Sequence, residues 1–122
     1  MRILLIDDEP LLLKSYARYL EVCMDQTVVT APGGAEALAL LEGDEPFDMI
    51  FCDVSMRGVS GIDVHRAVCE HHPSMTNRFA FMTGGTTDAA TGAYIEDSGV
   101  AVLSKPVDRA AFEKALSASS CG

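Results

Sequence analysis

The chain has 122 residues and a mass of 13.0 kDa, enough for one domain of ordinary size. Apolar residues make up 48% and charged residues 22%, the mixture of a chain that folds rather than one that stays disordered. Eighteen acidic residues against nine Lys and Arg give a formal charge of -9, which makes phosphate backbones and anionic lipid poor partners for this segment.

The first apolar run, residues 3–6, meets Asp7-Asp8-Glu9. It is shorter than the roughly 7–15 apolar residues of a secretory leader, and no run approaches the roughly 20 of a membrane span. Pro10 suits the first turn of a helix in which Leu12, Tyr16, Tyr19/Leu20 and Cys23 recur at helical spacing. A second run, 27–30, ends in Thr30-Ala31-Pro32, and Gly33-Gly34 opens a helix with Leu38 and Leu41 on one side. The third run, 49–52, closes on Asp53, and the helix after it carries Ile62, His65/Arg66 and Cys69 at helical spacing, a less clearly amphipathic stripe. The fourth run, 79–82, leads into Thr83-Gly84-Gly85. Residues 86–98 form the weakest helix, because Gly92 interrupts it and its apolar residues are few. The fifth run, 100–103, passes through Ser104 to Lys105-Pro106. Asp108 then caps a last helix whose inner face is Phe112, Ala115 and Leu116. Residues 1–117 form the domain, and 118–122 read as a tail or linker remnant.

Five β/α pairs in strict alternation require parallel strands and right-handed crossovers. Continuous apolar character in each run predicts strands buried on both faces. Five strands cannot close an eight-stranded barrel, so the fold class is α/β, an open doubly wound parallel sheet. The four cysteines (Cys23, Cys52, Cys69, Cys121) show no metal-binding spacing and read as reduced thiols, which points to a cytoplasmic setting. His65, His71 and His72 read as surface or helix-end residues, and the methionines as core filling.

In such a sheet, ligands gather at the carboxyl ends of the strands. Those ends carry Asp7, Asp8, Asp53, Thr83 and Lys105. Each has an ordinary explanation alone: acidic residues at a helix N-terminus, a turn Asp, a turn Thr, a solvated Lys. Jointly they are not accounted for that way. Asp7-Asp8, Asp53, Thr83 and Lys105-Pro106, at these separations, resemble the receiver domain of two-component response regulators over essentially the whole chain.

The resemblance implies a flavodoxin-like sheet of order 2-1-3-4-5. It implies that Asp53 accepts a phosphoryl group from a phosphohistidine, on a histidine kinase dimerisation domain or a histidine phosphotransfer protein. On that pattern Asp8 binds a metal directly and Asp7 through water, while Ser55 offers its backbone carbonyl and Asp53 completes the set. Lys105 and Thr83 contact the phosphoryl oxygens, and the Lys105–Pro106 bond is cis. Three close carboxylates call for a hard divalent cation, Mg²⁺ or Mn²⁺; formal charges of -3, +2 and +1 (Lys105) then cancel. The expected protein is a monomeric or weakly dimeric phosphoacceptor with self-catalysed loading and unloading rather than an enzyme acting on a separate substrate.

The chain departs from the family pattern in three places. Met56 is followed by Arg57 instead of Pro, although Gly61 keeps its place. Val102 stands where many receivers carry an inward-turning Tyr or Phe, and a valine cannot report through a ring. Output is therefore expected to travel through the loop 83–87. Ser55 and Gly85, small and uncharged, leave the phosphoryl group open to water. The run 81–85 with 103–106 is most similar to receivers of hybrid histidine kinases, and a free-standing regulator fits equally. Three other functions compete with this one. A haloacid-dehalogenase-like phosphatase needs a second Asp where Ser55 stands. A flavin carrier would not place Asp7-Asp8-Glu9 on a phosphate. A pseudo-receiver would bind partners without being phosphorylated.

Overall fold

The computed structural model describes residues 1–43, 46–85 and 88–121, the side chains of 118–121 excepted. The five apolar runs become β1 (Arg2–Ile6), β2 (Thr27–Ala31), β3 (Met49–Asp53), β4 (Phe79–Thr83) and β5 (Ala101–Ser104). Between and after them lie α1 (Pro10–Val22), α2 (Gly34–Leu41), α3 (Gly61–His71), α4 (Ala89–Ser98) and α5 (Arg109–Cys121), with a 3-10 turn at Pro73–Arg78. All pairings are parallel and the strand order is β2-β1-β3-β4-β5, so the sheet is the open, doubly wound, flavodoxin-like one expected.

Strand alternation divides the core into two halves. Ile3, Leu5, Met49, Phe51, Ala80 and Met82 face α1 and α5, where Phe112 packs on Phe51 and Tyr16. Leu4, Ile6, Ile50, Cys52, Phe79 and Phe81 face the other way, against Ala37, Leu41, Val64 and Val68 of α2 and α3. The central strands β1, β3 and β4 are buried on both faces, as their continuous apolar character predicts. The edge strands are not: β2 buries only Ala31, and β5 buries none of its four residues. The threonines at both ends of run 27–30 mark β2 as an edge, whereas run 100–103 is as apolar as a central one and carries no such mark.

The helix ends follow local chemistry. Pro10 occupies the first turn of α1. Ser60 and Asp63 form a reciprocal capping box on α3. Asp88 and Asp108 accept from the amides of Thr91 and Ala111. Helix α4 begins at Ala89, later than expected, and Thr86 and Thr87 lie outside the described residues. The backbone of α5 continues helically to Cys121, past residue 117, while Gly122 lies outside the description.

Helix α3 corrects two expectations. Its inner side is Val64, His65 and Val68 rather than Ile62, Arg66 and Cys69; Arg66 and Cys69 are exposed. Cys23 is likewise exposed, and only Cys52 of the three described cysteines is buried. His65 is no surface residue. It is 5% exposed, stacked edge-on against Phe79, and its Nδ1 lies 2.7 Å from the Tyr94 hydroxyl. His71 and His72 do fall at the end of α3.

Burial lowers the His65 pKa below its ordinary 6.5. The groups facing it are the Tyr94 hydroxyl, the Cys69 thiol and the rings of Phe79 and Phe81, with no carboxylate among these contacts. Above 6.5 the imidazole is neutral in folded and unfolded chains and contributes nothing to pH dependence. Below it the unfolded chain takes up the proton first, so stability falls with falling pH. Urea unfolding at pH 7.5 and 5.5 should therefore show a larger loss for the wild type than for His65→Gln.

Candidate functional site

The register of the sheet assembles the site. Ile6 pairs with Cys52, Asp53 with Met82, and Thr83 with Ser104, so the residues at or just beyond these pairs share one end of the sheet. Asp7 follows β1 and is fully buried; Asp53 ends β3 and is 4% exposed. Asp8 sits half-buried beside them. One oxygen from each of Asp7, Asp8 and Asp53 lies within 4.8 Å of the others.

Lys105 reaches this cluster from beyond β5. Its Nζ stands 2.7 Å from Asp7 Oδ2 and 3.2 Å from Asp53 Oδ2, with Glu9 Oε1 at 3.7 Å. The lysine side chain is only 8% exposed. Its backbone N–H donates to the Thr83 carbonyl at 2.8 Å, and the Lys105–Pro106 bond is cis. Tyr16 of α1 accepts a hydrogen bond from the Val107 N–H at 3.0 Å, which fixes the segment carrying the lysine.

The remaining contacts are backbone donors. Asp7 Oδ1 accepts from the Glu9 N–H at 2.9 Å, Asp53 Oδ1 from the Ser55 N–H at 3.3 Å, and Asp8 Oδ2 from the Arg57 N–H at 3.3 Å. Asp7 Oδ2 accepts no hydrogen bond of good geometry, and its buried charge is met by the Lys105 ammonium. The Thr83 hydroxyl donates to the Gly85 carbonyl at 3.2 Å. Gly61, at the start of α3, has no room for a side chain. A Cβ there would collide with the Asp53 carbonyl oxygen and lie 2.9 Å from Val54 Cα.

The electrostatics follow from burial. Desolvation pushes the Asp53 carboxyl up to about 6, with Lys105 opposing and the Asp7 charge reinforcing. Burial alone would lower the Lys105 pKa, but Asp7 and Asp53 outweigh it and hold the ammonium above its usual value. Burial raises the neighbouring Cys52 thiol, which therefore stays protonated beside the aspartate. Three carboxylates facing one ammonium leave the cluster short of positive charge. A buried, under-partnered carboxylate oxygen with two further oxygen ligands in reach fits a hard divalent cation.

The structure thus brings together Asp7, Asp8, Asp53 and Lys105 as expected. Ser55 contributes an amide contact to Asp53, and Thr83 stands at the strand end with its hydroxyl turned to its own loop. Two contributors were not anticipated: Glu9 as a third acidic neighbour of Lys105, and Tyr16 as the anchor of the following segment. A tyrosine at an inward position of α1, whose hydroxyl must find a partner when buried, was the available signal for the second. An open groove of about 800 Å³ runs from Asp8 and Ser55 between α3 and α4.

Residues 3–117 match the response regulator receiver domain family, and the chain belongs to it. It is a receiver domain of two-component signalling. A curated relative, the positive alginate biosynthesis regulatory protein of Pseudomonas aeruginosa, is 35% identical over 72 residues, which is 57% of this chain and 29% of that protein. The chain therefore spans well under half the length of that relative. Among solved structures, a response regulator receiver domain protein from Clostridium thermocellum superposes with a TM-score of 0.84 and 28% identity, covering 97% of this chain and 92% of that one. The chemotaxis protein CheY4 of Vibrio cholerae gives 0.81 and 25% identity, with 95% of each chain covered. Among the described residues no helix is long and apolar enough to cross a membrane.

The close approach at Gly61 yields a test of how the site is held. Gly61→Ala should destabilise the fold by about 1–3 kcal/mol, the usual range for overpacking, because the clash is with backbone rather than a flexible side chain. Chemical unfolding of the two proteins measures it, and Gly58→Ala, where no atom lies within 4 Å but φ is +74°, separates strain from clash.

Proposed function

We propose that this domain accepts a phosphoryl group on Asp53 from a phosphohistidine, in a reaction that depends on Mg²⁺ or Mn²⁺. The observation that carries the reading is the Lys105 ammonium lodged between Asp7 and Asp53 in a buried acidic cluster. An Asp53 carboxylate oxygen attacks phosphorus; the P–O bond forms as the P–N bond breaks, and the imidazole leaves with the electron pair and takes a proton. Such transfer asks for positioning and charge neutralisation more than for acid–base chemistry. Lys105 meets one of the phosphoryl oxygens. The Thr83 hydroxyl, released from Gly85, donates to another. Asp7, Asp8 and Asp53, with the Ser55 carbonyl, would hold the cation, which supplies the positive charge that the lysine alone cannot.

Other assignments follow from the same reading. The domain proper is residues 1–117, with 118–122 as tail or linker. Free thiols at Cys23, Cys52 and Cys69 suit a reducing, cytoplasmic setting. The same chemistry serves a free-standing regulator, monomeric or weakly dimeric, and a receiver joined to a histidine kinase. The donor would be a histidine kinase dimerisation domain or a histidine phosphotransfer protein. Leu11, in the first turn of α1 just past the acidic triplet, is 83% exposed and offers apolar surface for it to cover. The protein turns over on itself rather than on a separate substrate. A phosphatase reading lacks an acid, since Ser55 stands where one is needed. A pseudo-receiver reading leaves the buried lysine and its three carboxylates without a purpose.

Incubation with Mg²⁺ and acetyl phosphate, followed by intact mass, should show one added phosphate on the wild type and none on Asp53→Asn. Lys105→Met should load about a hundredfold more slowly, the effect of removing one preorganised positive donor. Many phosphates released per chain, or none taken up, would overturn the reading. Separately, Leu11→Glu should slow transfer from any phosphohistidine protein that loads the wild type by about tenfold, the worth of one covered apolar side chain. Loading by acetyl phosphate should be unchanged.

A further inference from the structure

Helix α4 is held to the body of the domain by little. None of its side chains is fully buried, and Tyr94 and Ile95 are the apolar residues it rests on the core. Tyr94 makes the specific contact. Its hydroxyl lies 2.7 Å from His65 Nδ1, its ring stands edge-on to the imidazole at 5.6 Å, and the Arg66 guanidinium covers it at 5.1 Å. His65 itself is clamped. It packs against Phe79 at 5.0 Å and Phe81 at 5.5 Å, and Phe81 is two residues before Thr83 on the same strand. It also sits on α3 four residues beyond Gly61, whose backbone is pressed against the Asp53 carbonyl. The imidazole therefore moves with the strands that build the site, whereas Tyr94 moves with α4.

We propose that the His65–Tyr94 hydrogen bond is a latch that holds α4 in its unloaded position and opens when Asp53 is loaded. The proposal rests on the phosphoacceptor reading. Thr83 at present donates to Gly85, at the head of the connection that leads to α4. Drawing that hydroxyl toward a phosphoryl oxygen frees the Gly85 carbonyl and pulls on the connection, while His65 stays fixed to β4. The groove between α3 and α4, bordered by Arg66, Asp88, Thr91 and Tyr94, leaves α4 room to shift. This route needs no ring on β5, where Val102 stands 44% exposed.

Linkage gives the proposal a sign. If the bond is present only in the unloaded state, it opposes loading, and deleting it must tighten loading by the factor that the bond was worth. A net hydrogen bond corresponds to roughly two- to tenfold. A bond with a merely structural role would, when lost, weaken loading or leave it unchanged.

The test uses beryllofluoride with Mg²⁺ as the phosphoryl mimic, titrated calorimetrically against wild type, Tyr94→Phe and His65→Phe. Tyr94→Phe should bind the mimic about two- to tenfold more tightly. His65→Phe should do the same, and the double variant should add nothing further. Amide hydrogen exchange of residues 89–98, measured without metal, should be faster in Tyr94→Phe by a similar factor. In the wild type it should rise on adding the mimic. Unchanged or weaker binding by Tyr94→Phe, in a protein whose wild type takes up phosphate on Asp53, overturns the latch alone. A wild type that takes up no phosphate and binds no mimic overturns the phosphoacceptor reading and the latch with it.

Discussion

A single ammonium group organises this end of the molecule. Lys105 Nζ touches the carboxylates of Asp7 and Asp53, which arrive from two adjacent strands, while the lysine itself comes from beyond a strand at the sheet edge. Buried carboxylates repel one another, and a site that gathers three of them is stable only if positive charge is supplied nearby. One lysine supplies part of it. The shortfall leaves an unmet demand for positive charge, which a hard divalent cation held by Asp7, Asp8 and Asp53 would fit. The backbone restraints around the lysine, from Thr83 on one side and Tyr16 on the other, keep its position fixed while that demand is met.

How much of this was readable beforehand depended on where the determining contacts lie along the chain. The central strands β1, β3 and β4 were legible because a strand covered on both faces must be apolar throughout. The edge position of β5 was not, since its run is as apolar as a central one and only the sheet order exposes it, while the two threonines of β2 are the one local mark of its edge position. Asp7, Asp8, Asp53 and Lys105 were legible because each lies at or just past the end of a strand, and the topology carries these strand ends to one place. The burial of His65 was not legible, for the opposite reason. Its burial depends on Phe79, Phe81 and Tyr94, distant in sequence, and no local pattern on α3 marks a histidine as lying beneath another helix.

The same distinction applies to the helices. Proline and aspartate at helix starts act on neighbours within one turn, so α1 and α5 begin where Pro10 and Asp108 indicate, and the Ser60–Asp63 box that opens α3 is equally local. The inner face of α3 is shifted by a residue or two from the expected one, because Val64 and Val68 compete with Ile62 and Cys69 for the same side and the sheet decides between them. The interruption at Gly92 and the scarcity of apolar residues around it have structural meaning: α4 buries no side chain completely.

Strand alternation also separates the molecule into compartments that share no side chains. Odd-numbered residues of β1 and β3 look toward α1 and α5, and even-numbered ones toward α2 and α3. The sheet is thus a partition, and packing changes on one side need not be answered on the other. Over evolutionary time, the face carrying α1 and α5 and the face carrying α2 and α3 can drift independently, provided the strand tips between them are left alone.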